Sequence, residues 1–148
     1  MSRNGNIEGQ AETLLDLLIG QCADLESLLV LSRRETQAVE QHDFEAVLRL
    51  VEQRASLGDR LEVYHQQIAE LRLRLGEAAE PPMRSAAATR AADLAASILA
   101  QDGLTRPLLA AARAELATQQ QQLTQNRRGV SAYLQEGRPG AVACDQQA

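Results

Sequence analysis

Side chains that could take part in catalysis or metal binding are few in this sequence and lie far apart. There are two histidines, His42 and His65, and two cysteines, Cys22 and Cys144. Neither histidine belongs to a set of cysteines and carboxylates that a metal-binding scaffold would need. Cys22 falls in an apolar pattern typical of a small core residue, and Cys144 has no neighbour that would activate a thiol. We therefore expect no metal site, no disulfide and no catalytic cysteine.

Residues that would bind phosphates or nucleic acids are also missing. No glycine-rich loop of the kind that cradles a phosphate is present. The arginine doublets at 33–34 and 127–128 have no interleaved aromatic residues, and the net charge of −5 is spread through the chain. These observations predict that the protein is not an enzyme, uses no cofactor and has no nucleic-acid partner.

The longest apolar stretches are too short for a membrane span. The run LLDLLIG is interrupted by Asp16 and Gly20, so it falls well below the ~20 apolar residues that a spanning helix needs. The first ten residues lack the apolar core of a signal peptide. We expect no membrane insertion and a cytoplasmic location.

The backbone that would position any functional residue is predicted to be helical. Aromatic residues make up 2 % of the chain, and the abundant Leu, Ala, Gln, Glu and Arg form helices well and strands poorly. Apolar residues recur every three and four positions over 11–41, where the last third of the ladder turns polar at Ser32 and Thr36, and again over 44–75. The second of these ladders runs through Val47, Leu50, Arg54, Leu57, Leu61, Tyr64, Ile68, Leu71 and Leu75.

Folding the chain back at residues 41–43 places the two ladders face to face, so that Leu25 meets Leu61. The polar member of the second ladder, Arg54, then falls opposite Ser32, with Glu35 about one turn away. Two interpretations stay open. Either these three polar residues fix the register of the hairpin, as buried polar groups with matched partners do, or Arg54 lies at the rim with its charged end in water.

Two further helices are predicted after the hairpin, at 84–101 and 105–135. Asp102 and Gly103 are expected to end the third helix, and Thr105 to cap the fourth. The glutamine-rich stretch 117–128 offers few apolar side chains. The fourth helix should therefore be the least tightly held element and could order further against a partner.

Together these patterns predict an all-α protein: an elongated antiparallel helical hairpin or bundle with coiled-coil-like packing and three to four helices. Residues 1–10 are expected to form a flexible N-terminus, residues 11–135 a single helical domain, and residues 136–148 a flexible tail.

The segment LESLLVLSRRETQAVEQHDFEAVLRLVEQRASLGDRL, residues 25–61, resembles the N-terminal signature of the FlgN-type flagellar export chaperones. That signature has a leucine-rich first helix, a glutamate before a short charged stretch, and an aspartate that opens a second helix with a basic residue and further leucines. The matching positions are Leu28, Leu29, Leu31, Glu35, Asp43, Leu48, Leu50, Arg54, Leu57 and Leu61. The segment 108–137 is similar to the family's C-terminal helix, and the resemblance extends over 12–135.

The resemblance implies a non-catalytic cytosolic chaperone of the type III secretion class. Its clients would be flagellar hook-filament junction (hook-associated) proteins of the FlgK and FlgL type. The chaperone would bind their terminal amphipathic helix, prevent premature assembly and deliver them to the flagellar type III export apparatus. Contact with the export gate or the export ATPase is implied as well, with Tyr133 as the residue at the gate.

An under-filled fourth helix offers an apolar face for such a client helix. The candidate partner-binding residues are Leu109, Ala112, Leu116, Leu123, Val130, Tyr133 and Leu134. The same residues could instead complete the bundle. Two other functions also stay open: a structural or scaffolding coiled-coil protein, and a FliT-like secretion chaperone with a different client.

Overall fold

The computed structural model describes the backbone of residues 2–147 and the side chains of residues 3–136. Helix α1 spans Ser2–Glu40 and helix α2 spans Phe44–Leu75. A 3₁₀ turn at Gly76–Ala79 and a short helix α3 at Glu80–Met83 lead into helix α4, which spans Ala86–Gln147. No strand occurs within residues 2–147. The predicted all-α class is confirmed, with three long helices packed antiparallel.

The reversal between α1 and α2 occupies residues 41–43. His42 adopts a positive φ of 56°, and the amide of Asp43 donates to the carbonyl of Ala38 across 2.9 Å. The Asp43 carboxylate then accepts a hydrogen bond from the amide of Ala46, which caps the first turn of α2. The positive φ at His42 and the cap at Asp43 therefore reverse the chain within residues 41–43.

Two apolar clusters hold the first 108 residues together. In one cluster Leu14 and Leu18 of α1 meet Ile68 and Leu75 of α2. This arrangement brings the two ladders together in opposite directions, as a hairpin requires. The bend that closes this end contains Gly76, whose φ of 55° lies in the left-handed region that favours glycine.

The second cluster joins α4 to the hairpin. Cys22, Leu25 and Leu29 of α1 pack with Ala91, Leu94 and Ile98 of α4, and Leu61 of α2 packs against them. Alanine on the inner face of α4 allows its axis to lie close to α1. The first part of α4 thus completes a three-helix core. Burial of apolar surface, rather than any single bond, stabilises this arrangement.

The C-terminal half contains one helix where the sequence predicts two. The expected helices at 84–101 and 105–135 are parts of α4, and the predicted break at 102–104 is wrong. Asp102 points sideways to Arg54, and the Thr105 hydroxyl donates back to the carbonyl of Gln101, so neither residue acts as a cap. Gly103 costs a helix about 1 kcal/mol, which does not suffice to end it.

The chain divides into two compact units, Met1–Leu108 and Leu109–Ala148. The first contains both apolar clusters, and the second consists of the remainder of α4. Helix α1 already begins at Ser2, and helix α4 ends only at Gln147. The side chains of most of the predicted tail, 136–148, lie outside the described residues, and the flexibility of both termini stays a prediction.

Candidate partner-binding surface

A charged layer crosses all three helices of the first unit. The Arg54 guanidinium donates to Glu35 of α1 and to Asp102 of α4, each across 2.8 Å. Its side chain is 23 % exposed and that of Glu35 is 6 % exposed. Burial lowers the pKa of Arg54, but the hydrogen bonds to Asp102 and Glu35 outweigh it and raise that pKa above its ordinary value. Arg54 therefore stays charged and tied to both neighbours.

Uncharged polar side chains extend this layer between α1 and α4. The hydroxyls of Thr36 and Thr105 lie 2.6 Å apart, and the Gln101 amide donates to the Thr36 hydroxyl across 2.7 Å. Ser32 is fully buried, and its hydroxyl has no hydrogen-bond partner among the described residues. In some proteins a buried polar layer selects one alignment of the helices while adding little to stability.

Three predicted register residues therefore have different surroundings. Glu35 and Arg54 form an ion pair. Ser32 is not part of it, because both described hydrogen bonds of Arg54 go to carboxylates.

Sequence reasoning missed Asp102, because Asp-Gly is typical of a helix end. The available signal was the polar pair 101 and 105 on the inner face of α4, which continues the spacing of Leu94 and Ile98. The role of these residues in fixing the register stays a proposal.

The candidate partner-binding residues on α4 fall into two groups. Leu109 is half-buried and Ala112 is buried. The other five are exposed, with Leu123 at 58 % and Tyr133 at 78 %. Every side chain from 113 to 136 is exposed. Leu116, Leu123 and Val130 recur at seven-residue intervals, so they share one face of the helix.

Charge is sparse along this part of α4. Between Glu115 and Arg127 no residue carries a charge, and the stretch contains mostly glutamine and threonine. We call the exposed apolar row Leu116, Leu123, Val130, Tyr133 and Leu134 the α4 stripe. Its chemistry is apolar with mostly neutral flanks and only Arg127 and Arg128 charged within it, which suits a partner recognised mainly by apolar contact.

Metal-binding clusters and membrane-spanning helices are the marks of two other functional classes. No group of three or more His, Cys, Asp or Glu that could hold a metal ion occurs among the described residues. Within the same residues no helix is long and apolar enough to cross a membrane. The concave surfaces are open grooves, such as the one between the end of α2 and α3 that Arg72, Leu73 and Met83 line.

Comparison with known families decides between the hypotheses that the helices leave open. A sequence model of the flagellar protein FliT matches residues 22–135, which is most of the chain. The chain belongs to the FliT family. FliT proteins are non-enzymatic, helical flagellar export chaperones. No curated protein and no solved structure matches the chain.

The resemblance to FlgN-type chaperones is therefore wrong as a family assignment. Its matching positions include Leu29, which is buried in the core, and Glu35 and Arg54, which pair across the hairpin. Such positions reflect how two helices pack. They do not separate FlgN-type from FliT-type proteins, because both are flagellar export chaperones. The expected FlgK and FlgL clients followed from that resemblance, and the FliT family differs from it in client specificity.

Proposed function

We propose that this protein is a cytoplasmic export chaperone for a filament-cap protein of the FliD type. It binds the terminal amphipathic helix of the cap protein, prevents that helix from assembling prematurely, and delivers the protein to the flagellar type III export apparatus. Membership of the FliT family supports the export-chaperone part of this proposal, and the cap protein is the client associated with that family.

The observation that carries the proposed mode of binding is the exposure of the α4 stripe. Five large apolar side chains face solvent on one helix, although full burial of each would contribute about 1.5–3 kcal/mol. A client helix laid along α4 would bury Leu116, Leu123 and Val130, which share one face, as in other helix-in-groove complexes. Tyr133, near the end of the row, would stay open. The exposure of the five stripe residues does not support the alternative that they complete the bundle.

The sparse charge around the stripe gives the proposed complex a recognisable property. Because Arg127 and Arg128 are the only charged residues between Glu115 and Glu136, affinity for the client should depend only weakly on salt between about 0.05 and 0.3 M. A complex held by ion pairs would weaken over the same range. Salt dependence therefore separates apolar recognition from charge recognition.

Delivery to the export apparatus requires a contact that the client does not cover. Tyr133 combines an apolar ring with a phenolic hydroxyl, and its 78 % exposure leaves both open to a partner. We propose Tyr133 as the residue that meets the export gate. Replacing it with alanine should reduce export of the client while leaving most of the client affinity in place.

The test is the affinity of the full-length chain for peptides that carry the terminal helices of the FliD-type protein, measured by titration calorimetry. The variant Leu123→Ser/Val130→Ser should weaken binding roughly tenfold or more. The matched control is Leu73→Ser/Leu99→Ser, which removes two exposed leucines elsewhere. Unchanged binding in the first variant, or an equal loss in the control, would show that the client does not use the α4 stripe.

A further inference from the structure

Helix α2 carries a second apolar row in addition to the ladder that packs inside the hairpin. Phe44, Leu48, Val51, Ala55 and Gly58 follow one another in steps of four, three, four and three residues, and we call them the outer seam. Leu48 is 67 % exposed and Val51 is 47 % exposed, while Phe44 is half-buried. This spacing is the signature of a helix that packs on another helix, but the seam lies on the solvent side.

The small residues of the outer seam are not required by the packing within the chain. A Cβ atom added at Gly58 would meet no atom within 4 Å. A glycine in mid-helix costs about 0.5–1 kcal/mol relative to alanine. Because alanine would fit here without a clash, packing within the chain does not explain the glycine at position 58. Together with Ala55 it leaves room for a second helix to approach closely. At the other end of the seam, the His42 ring supports Phe44 edge-on, with ring centroids 6.0 Å apart.

A row of acidic residues borders the outer seam. Glu45, Glu52 and Asp59 recur every seven residues, and each directly follows a seam residue. All three are exposed, and none forms an ion pair with the described side chains. Charged residues at this heptad position select the partner and its orientation in coiled coils. The acidic row therefore calls for a partner that places basic residues beside its own apolar seam.

We propose that the outer seam of α2 docks an amphipathic helix of a partner protein in which lysine or arginine flanks the apolar face. The seam covers four turns, or about 20 Å, which matches a short helix. This partner differs from the client of the α4 stripe, where no acidic residue lies between Glu115 and Glu136 to select basic residues. A second copy of this chain fits poorly. A two-fold antiparallel pairing along the seam would place each acidic row beside its counterpart, and like charges repel.

The probes are two synthetic helices of about 21 residues, identical at their leucine seam but flanked by lysine in one and by glutamate in the other. Fluorescence anisotropy measures their binding to the full-length chain. The lysine-flanked helix should bind, more weakly at about 0.3 M than at about 0.05 M salt, and the glutamate-flanked helix should not. Leu48→Ser/Val51→Ser should weaken binding roughly tenfold or more. Val63→Ser/Leu73→Ser, which alters exposed residues beyond the seam on the same helix, should not.

Charge reversal tests the acidic row separately from general attraction to an acidic protein. Glu52→Lys/Asp59→Lys should exchange the preference of the chain from the lysine-flanked to the glutamate-flanked helix. Glu8→Lys/Glu12→Lys, with the same change in net charge on α1, should leave the preference as it is. Equal binding of both helices, or the same exchange in the control, would overturn the proposal. So would self-association of the chain that Leu48→Ser/Val51→Ser abolishes, because the occupant would then be a second copy.

Discussion

Arg54 of α2 and Glu35 of α1 form an ion pair across 2.8 Å in the middle of the hairpin, where leucines would otherwise meet. Asp102 of α4 completes the group from the other side, also 2.8 Å from the guanidinium. Two carboxylates share one cation, and the Oδ1 atom of Asp102 is buried with no hydrogen-bond partner among the described residues. The group is therefore matched in position but not fully satisfied, and we propose that it selects one alignment of the helices rather than adding much stability.

Removing only Arg54 should be costly. Arg54→Leu leaves Glu35 and Asp102 partly buried without a cation, and we expect the free energy of unfolding in urea to fall by about 2 kcal/mol. Replacing all three residues with leucine should restore most of that loss or exceed it. The triple variant should nevertheless populate more than one alignment of the helices, and its NMR spectrum should then show extra amide resonances. A single set of sharp resonances in the triple variant would contradict a role in register.

The contact between Gly20 and Tyr64 gives a second test. A Cβ atom at Gly20 would lie 2.6 Å from the Tyr64 hydroxyl oxygen and 3.0 Å from two ring carbons. Gly20→Ala should therefore lower the free energy of unfolding by about 1 kcal/mol, even though alanine favours a helix.

Its matched control is Gly58→Ala, where no atom lies within 4 Å. That substitution should raise the free energy of unfolding by about 0.5–1 kcal/mol. Combining Gly20→Ala with Tyr64→Leu should relieve the clash. If Gly20→Ala stabilises the chain as much as Gly58→Ala does, the packing of Tyr64 on α1 is not as described.

The buried thiol of Cys22 predicts a dependence of stability on pH. Burial raises the pKa of Cys22 above its ordinary value of 9.0; Arg90 lowers that pKa by a smaller amount, and Glu26 adds slightly to the increase. The Cys22 thiol also donates to the carbonyl of Ala87 across 3.1 Å. A raised pKa in the folded state stabilises the fold below the unfolded pKa, and that stabilisation is lost as pH rises through the folded pKa.

The measurement is the free energy of unfolding between about pH 8 and 11 in a Cys144→Ser background, which removes the second thiol. Stability should decline above pH 9.0, the ordinary value for the thiol. The decline should be smaller when Cys22→Ala is added. An identical decline with and without Cys22 would assign the pH dependence to other groups.

The hairpin was predictable because its information is local and periodic. Apolar steps of three and four residues define each helix, and the polar section of α1 coincides with Arg54 only when the turn lies at 41–43. The cap at Asp43 is likewise a short-range signal. Helix periodicity and caps can be seen in the sequence because they depend on residues a few positions apart. The hairpin can be seen because a single alignment of the two ladders matches both their apolar and their polar positions.

The continuity of α4 was not predictable in the same way. Asp102, Gly103 and Thr105 are typical of a helix end, and only their lateral contacts with α1 and α2 explain why α4 continues. The outer seam was missed for a related reason. Leu48 and Val51 alternate along α2 with residues of the second ladder, such as Val47 and Leu50. Only their exposure in the folded chain separates the outer seam from that ladder. Long-range partners and exposure are properties of the folded chain.

The client surface is tested most directly by hydrogen exchange of the full-length chain with and without a peptide carrying the client's terminal helix. Residues 113–136 are exposed in the free protein, so their amides should exchange readily before the peptide is added. We predict slower exchange over about residues 113–134 in the complex, with little change in residues 2–108. Protection confined to residues 2–108 would contradict the assignment of client binding to α4.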